Sequence, residues 1–283
     1  MLSMLEKNTV VENCITASSR MREQIIEMTR IAPSTGAHAG GALSMVEIMA
    51  VLYLGILRYD CSDPQSSTRD RFILSKGHGA MCMYAAMNQA GILTDEELMT
   101  YKANESFLGG HPSMCREKLI EFSSGSLGQG LSLGLGVCLG LKRANNTKSK
   151  VYVLLGDGEC NEGSVWEAAM AASHYELSNL VAVVDKNRMQ YDGDTKTVLN
   201  IDPLEEKWRS FGWEAVTADG HSVEALYDAF QTEHEKPLVI IANTIKGKGI
   251  SFMENNVLWH NNRLTEKQYE QAKAELRAAE EVK

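Results

Sequence analysis

The chain has 283 residues, 44% of them hydrophobic and 23% charged, enough to build a sizeable core. Its formal charge of -9, with no block rich in Lys or Arg, argues against a nucleic-acid surface, and no signal peptide or long unbroken apolar span points to a membrane. Six scattered cysteines, Cys14, Cys61, Cys82, Cys115, Cys138 and Cys160, form no C-x-x-C pair and suggest a reduced, cytoplasmic setting, with residues 1–283 expected to make one domain.

Residues 9–31 carry Val10, Ile15, Met21, Ile25 and Met28 at helical spacing, and the pattern breaks at Pro33-Ser34-Thr35-Gly36. Ala37-His38-Ala39-Gly40-Gly41 reads as a small-residue loop with one histidine, either exposed or functional. Ser44-Met45-Val46-Glu47 reads as a capping box for a helix whose stripe includes Val46, Ala50, Leu54 and Leu57. After a polar connector, Arg71-Phe72-Ile73-Leu74 predicts a short strand ending in Ser75-Lys76-Gly77-His78-Gly79, with a helix over 80–89 beyond it. Thr94-Asp95-Glu96-Glu97 caps a further helix, and Gly109-Gly110-His111-Pro112 sets a third histidine in a rigid loop. Three loops built of glycine and one histidine are harder to dismiss together than singly.

Ser123-Ser124-Gly125-Ser126-Leu127-Gly128-Gln129-Gly130 precedes a Leu/Gly-rich helix reaching to about Arg143. Its glycines lower helix preference and need a packing reason, either a subunit interface or tight contact inside one domain. Val151 to Leu155 is a buried-strand run followed by Gly156-Asp157-Gly158, and helical composition returns at 164–175, with Trp166, Met170 and Ala171 spaced for one face. Glycines bring the backbone close to a ligand, and the N–H groups of the following helix suit an anion such as phosphate. A carboxylate there would repel phosphate unless a cation lay between them, so Asp157 implies a divalent metal. The next strand, Leu180-Val181-Ala182-Val183-Val184, ends in Asp185-Lys186-Asn187. Asn187 lies thirty residues past Asp157, one β-α-β unit, which brings both side chains to the same sheet edge. An Asp oxygen, an Asn carbonyl oxygen and a nearby main-chain carbonyl would make a hard-oxygen half-shell for Mg²⁺. Cys160 reads as a small buried turn residue and is given no role.

Farther on, the pattern predicts a helix near 203–210, strands near 213–217 and 238–242 with a helix over 222–233 between them, and a polar helix from 265. The last strand delivers Thr244-Ile245-Lys246-Gly247-Lys248-Gly249, whose lysines could meet phosphate or simply lie on the surface. His260 follows in Leu258-Trp259-His260, while His174, His221 and His234 read as ordinary surface residues.

Gly-Asp-Gly followed some thirty residues later by Asn is the thiamine diphosphate motif, and the chain resembles the N-terminal half of a transketolase along essentially its whole length. Ser75-Lys76-Gly77-His78-Gly79, Gly110-His111-Pro112, Gly125 to Gly130, Lys246-Gly247-Lys248-Gly249 and Trp259-His260 fall in the family's order. The resemblance implies an α/β, three-layer αβα thiamine diphosphate-binding fold around a mainly parallel sheet. It implies that Asp157, Asn187 and the Met189 carbonyl hold Mg²⁺, with Ca²⁺ or Mn²⁺ as substitutes, Asn187 also touching the cofactor. Gly41, His78, Gly125, Ser126, Leu127, Gly158, Lys246 and His260 would contact thiamine diphosphate. His38 and His260 would face the sugar, and His111 would serve proton transfer, as imidazoles neutral or charged near pH 7.

Full-length transketolases continue into a pyrimidine-binding domain that this sequence lacks, so the expectation is a split enzyme with a separate C-terminal partner chain and sugar phosphate substrates. Glu162 matches a carboxylate between two copies of this domain, implying an α2β2 assembly. Ala39 departs from the family's Gly-His-Pro pattern, which bears on substrate preference rather than on cofactor binding. Other thiamine-dependent carboligase subunits and a transketolase for a modified or branched sugar are compatible alternatives. A non-catalytic module retaining the fold is the alternative outside enzymes, and intact Asp157, Asn187 and four loop histidines count against it.

Overall fold

In the computed structural model, which describes residues 4–281, the apolar runs become five parallel strands. The chain opens with α1 (Met4–Ile31), α2 (Ala39–Leu43) and α3 (Val46–Val51). β1 (Arg71–Leu74) passes through a 3₁₀ turn, Gly77–Gly79, into α4 (Ala80–Gln89), and α5 (Asp95–Leu98) and α6 (Gly130–Arg143) precede β2 (Val151–Gly156). A 3₁₀ turn, Gly158–Asn161, and α7 (Gly163–His174) lead to β3 (Leu180–Lys186). Then come α8 (Thr195–Val198), α9 (Leu204–Ser210), β4 (Glu214–Asp219), α10 (Val223–Phe230), β5 (Leu238–Asn243) and α11 (Glu266–Glu281).

The sheet order is β1-β2-β3-β5-β4. Parallel strands covered on both faces need apolar residues at every position, which is why β2, β3 and β5 read as unbroken Val/Ile/Leu runs. Along β2, Tyr152 and Leu154 join a core with Met21, Met49, Tyr84 and Leu226, whereas Val151, Val153 and Leu155 join another with Leu131, Ala168 and Trp208. These are the two interfaces of a three-layer αβα sandwich. After β3 the chain crosses to the edge for β4 and returns for β5. Right-handed crossovers therefore put α7 and α9 on one face and α10 on the other.

Three local expectations need correcting. Ala39–Leu43 is a short helix rather than a loop, and Ser44 and Glu47 form no capping box: the Ser44 hydroxyl donates to buried Asp185, while Glu47 pairs with Arg22. The same four-residue pattern at Thr94–Glu97 does form the box, with Glu97 N donating to Thr94 Oγ1 at 3.2 Å and Thr94 N to Glu97 Oε2 at 2.9 Å. The buried face of α7 is Val165, Ala168, Ala169 and Ala172, and Met170 is 59% exposed. In α6, Gly130 and Gly134 pack inside, where a Cβ would lie 2.4 Å from Ser75 and 2.6 Å from Val153, whereas Gly136 and Gly140 face open space. Among the described residues no helix is long and apolar enough to cross a membrane.

Candidate active site

Ligands of open α/β sheets collect where the strands' carboxyl ends meet. Here the ends of β1, β2, β3 and β5 surround a cavity of about 610 Å³. The tips are stitched together, Asp157 N donating to Asp185 O and Thr244 N to Lys186 O, each at 3.2 Å. Every site residue expected from the sequence lines this cavity except Ser126, whose exposed side chain lies between the lining Gly125 and Leu127. Gly41 lets the backbone run against His78, whose ring would sit 3.0 Å from an added Cβ. Tyr191, Val198, Leu199 and exposed Glu162 form part of the rim.

Asp157, just past β2, is 2% exposed. Its oxygens accept from Gly158 N at 2.8 Å and Arg188 N at 2.6 Å, which orients the carboxylate but supplies no full counter-charge. Burial, with the nearby Asp185 charge, pushes its pKa up to about 6. Asn187 is fixed from two sides: Nδ2 donates to Asp185 Oδ2 at 3.1 Å and Oδ1 accepts from Met189 N at 3.1 Å. Each of these oxygens retains a further lone pair. A buried anion short of positive charge beside an oriented amide oxygen and a peptide segment fits a hard divalent cation. Among the described residues no group of three or more His, Cys, Asp and Glu could hold a metal; the set here is one carboxylate, one amide and one main-chain oxygen, a different kind of donor shell.

Two buried acids escaped the sequence reading. Asp185 receives hydrogen bonds from Lys76, Ser44, Thr244 and Asn187, and although burial raises its pKa, the Lys76 ammonium and these donors outweigh it and hold the carboxyl below its ordinary range. Lys76 also donates to Gly41 O at 3.0 Å, tying α2 to the β1 tip. Glu159 accepts from Gly128 N at 2.8 Å, Gly156 N at 3.0 Å and the Ser75 hydroxyl, joining the β1 and β2 tips to the Gly125–Gly130 segment. Burial nevertheless raises its pKa. A charged residue directly ending an all-apolar strand was the available signal for Asp185, and a carboxylate beside the Gly-Asp-Gly turn for Glu159.

The four loop histidines converge. His38 stands 5.8 Å from His78, 5.4 Å from His111 and 5.5 Å from His260 between ring centroids, and His78 and His260 are 5.2 Å apart. Burial lowers all four pKa values, with neighbouring cations and imidazoles adding to it: His38 to about 4, His260 to about 3, His78 well below the usual range and His111 downward. The shifts all favour the neutral imidazole, of the two forms, neutral or charged near pH 7, that the sequence left open. Among the described residues, His38 Nδ1 is buried without a hydrogen-bond partner. Lys246 is not a surface lysine: it is 2% exposed, lies 3.0 Å from His260 Nδ1, and burial together with Lys76 takes its pKa down to about 8. His221 is likewise no surface residue, since both ring nitrogens have partners, Glu47 and Ile245 N.

The chain resembles known proteins over most of its length. A family pattern described as the transketolase, thiamine diphosphate binding domain matches residues 17–281. The chain is 41% identical over 242 residues to one of the subunits of an apulose-4-phosphate transketolase from Actinobacillus succinogenes, spanning 85% of this chain and 87% of that one. It is equally 41% identical over 242 residues to the 6-deoxy-6-sulfo-D-fructose transketolase subunit SqwG of Clostridium sp. strain MSTE9, spanning 84% and 88%. Human transketolase is 41% identical over 254 residues, 90% of this chain but only 40% of that protein. The transketolase structure from Campylobacter jejuni superposes with a TM-score of 0.84 at 25% identity, covering 95% of this chain and 43% of that one.

Proposed function

Because the chain belongs to the transketolase, thiamine diphosphate-binding domain family, we propose that it is the diphosphate-binding subunit of a two-subunit transketolase. It would move a two-carbon ketol unit from a ketose phosphate to an aldose phosphate. The observation that carries this reading is the meeting of Asp157 and Asn187, from adjacent strand tips, with Lys246 and four neutral imidazoles around one cavity.

Asp157, Asn187 and the Met189 carbonyl would hold Mg²⁺, and Lys246, His78, His260, Gly41, Gly158 and the Gly125-Ser126-Leu127 turn would receive the cofactor. Thiamine diphosphate bound there supplies the carbanion chemistry. This chain's part is to place it and to handle protons. His38 and His260, deeply lowered in pKa, are poor bases but good neutral hydrogen-bond partners for sugar hydroxyls. His111 is the exposed member of the cluster and is the better placed to take a hydroxyl proton as the carbon–carbon bond breaks.

The pyrimidine-binding half of the site would come from a second subunit, as the names of the two relatives that match nearly end to end suggest, both being subunits of a transketolase. Exposed Glu162 at the rim suits self-association into an α2β2 assembly, and six free cysteines suit a reducing cytoplasm. Those two relatives are named for modified sugars, which favours a second reading in which the donor is a modified or branched ketose.

The test is ketol transfer by the purified chain with and without a pyrimidine-domain subunit, using an ordinary and a branched ketose phosphate. Turnover should appear only when the second subunit is added. Robust turnover by the chain alone contradicts the two-subunit reading, and a preference between donors decides the substrate class.

A further inference from the structure

Three polar residues from distant parts of the chain converge on the 244–249 loop: Arg22 on α1, Glu47 on α3 and His221 in the β4–α10 turn. Arg22 Nη1 lies 2.7 Å from Glu47 Oε1, and their side chains are 11% and 9% exposed. His221 Nδ1 lies 3.0 Å from Glu47 Oε2. His221 Nε2 accepts from Ile245 N at 2.8 Å, so that nitrogen carries no proton and the Nδ1 proton goes to Glu47. Arg22 Nε donates to Lys248 O at 3.3 Å. The group therefore grips one peptide before Lys246 and one two residues after it. From the other side Gly247 N donates to Gly40 O and Asn255 N to Lys246 O, both at 2.9 Å.

A buried ion pair is weak support for stability alone, because apolar residues of similar volume are often as stabilising. What apolar residues could not provide is an acceptor for Ile245 N–H and a donor for Lys248 C=O. We infer that Glu47, Arg22 and His221 are positioning residues that fix the 244–249 loop so that Lys246 presents its ammonium to the anionic end of the cofactor. This rests on the cofactor reading above. Glu47 is the anchor. Burial would raise its carboxyl, but Arg22 and His221 bring it down to about 2, so it stays ionised while holding both partners.

Two substitutions separate positioning from packing. In His221→Asn the amide reaches only as far as Nδ1, keeping a donor for Glu47 but losing the acceptor for Ile245; in His221→Gln the amide reaches the Nε2 position and restores that acceptor. The chain assembled with a pyrimidine-domain subunit is titrated calorimetrically with thiamine diphosphate in the presence of Mg²⁺, and exchange of the Ile245 amide is followed alongside. His221→Asn should weaken binding about tenfold, with faster Ile245 exchange, and His221→Gln should stay within about threefold of the unaltered chain. Wild-type-like binding by the Asn variant, or equal losses in both variants, overturns the inference and leaves the cofactor reading intact. No binding by the unaltered assembly overturns the cofactor reading itself, and the inference with it.

Discussion

Asp157 and Asp185 end neighbouring strands, both nearly inaccessible to solvent, and Asp157 N donates to Asp185 O across the β2–β3 pair. Their surroundings are opposite. Asp185 has an ammonium, two hydroxyls and an amide on its oxygens and is held ionised. Asp157 has two peptide N–H groups, no ion pair among the described residues, and a pKa pushed up to about 6. A buried charge is tolerable only when paired, so the first is complete within the fold, and on the reading proposed above a cation brought from outside would complete the second. On that proposal, structure and function divide between two identical side chains at adjacent strand tips.

The widest separation should come from removing each group. Asp185→Ala leaves Lys76 buried and unpaired and should lower unfolding stability by about 3–5 kcal/mol in denaturant titrations. A loss below about 1 kcal/mol would mean that the Lys76 pair contributes little. Lys246→Met, on the ligand side of the comparison, should leave Tm nearly unchanged yet weaken thiamine diphosphate binding by about 10–100-fold, as expected for a charge-assisted contact. Asp157→Asn should move stability the other way from Asp185→Ala. Without divalent ions its Tm should hold or rise, by about 1 kcal/mol in equivalent stability, because an uncompensated buried charge is gone. A fall in Tm would place Asp157 with Asp185 as a structural group.

A separate effect is in pH dependence. His38 is neutral in the folded protein down to about pH 4, whereas unfolded imidazole takes up a proton below about 6.5. The folded pKa is depressed, so its contribution to stability is full above pH 6.5 and is lost as pH falls toward 4. His38→Gln should flatten that limb in Tm measurements across this window, and an unchanged slope would show that His38 titrates freely.

Much of this was legible in the sequence because its physics is local. A parallel strand buried on both faces must be an unbroken apolar run, and Gly-Asp-Gly with a distant Asn marks two such strand tips. The glycine-flanked histidines were visible for a similar reason. What stayed hidden depends on partners far along the chain. Ser44-x-x-Glu47 and Thr94-x-x-Glu97 follow one pattern, but Asp185 and Arg22 claim the first pair while the second is left to cap its helix. Lys76, Asp185 and His221 acquire their roles only when β1, β3, α1 and α3 are brought together. No periodicity reports a buried ion pair. The charge state of the histidines was hidden too, since burial and mutual proximity set it.

The most direct test is calorimetric titration of the chain, assembled with a pyrimidine-domain subunit, with thiamine diphosphate, with and without Mg²⁺, before and after Asp157→Ala. Binding should require the divalent ion and disappear in the variant, while thermal unfolding in the absence of ligand stays cooperative. Undiminished affinity in Asp157→Ala would contradict the assignment of that carboxylate to the metal, and with it the cofactor site at the two strand tips.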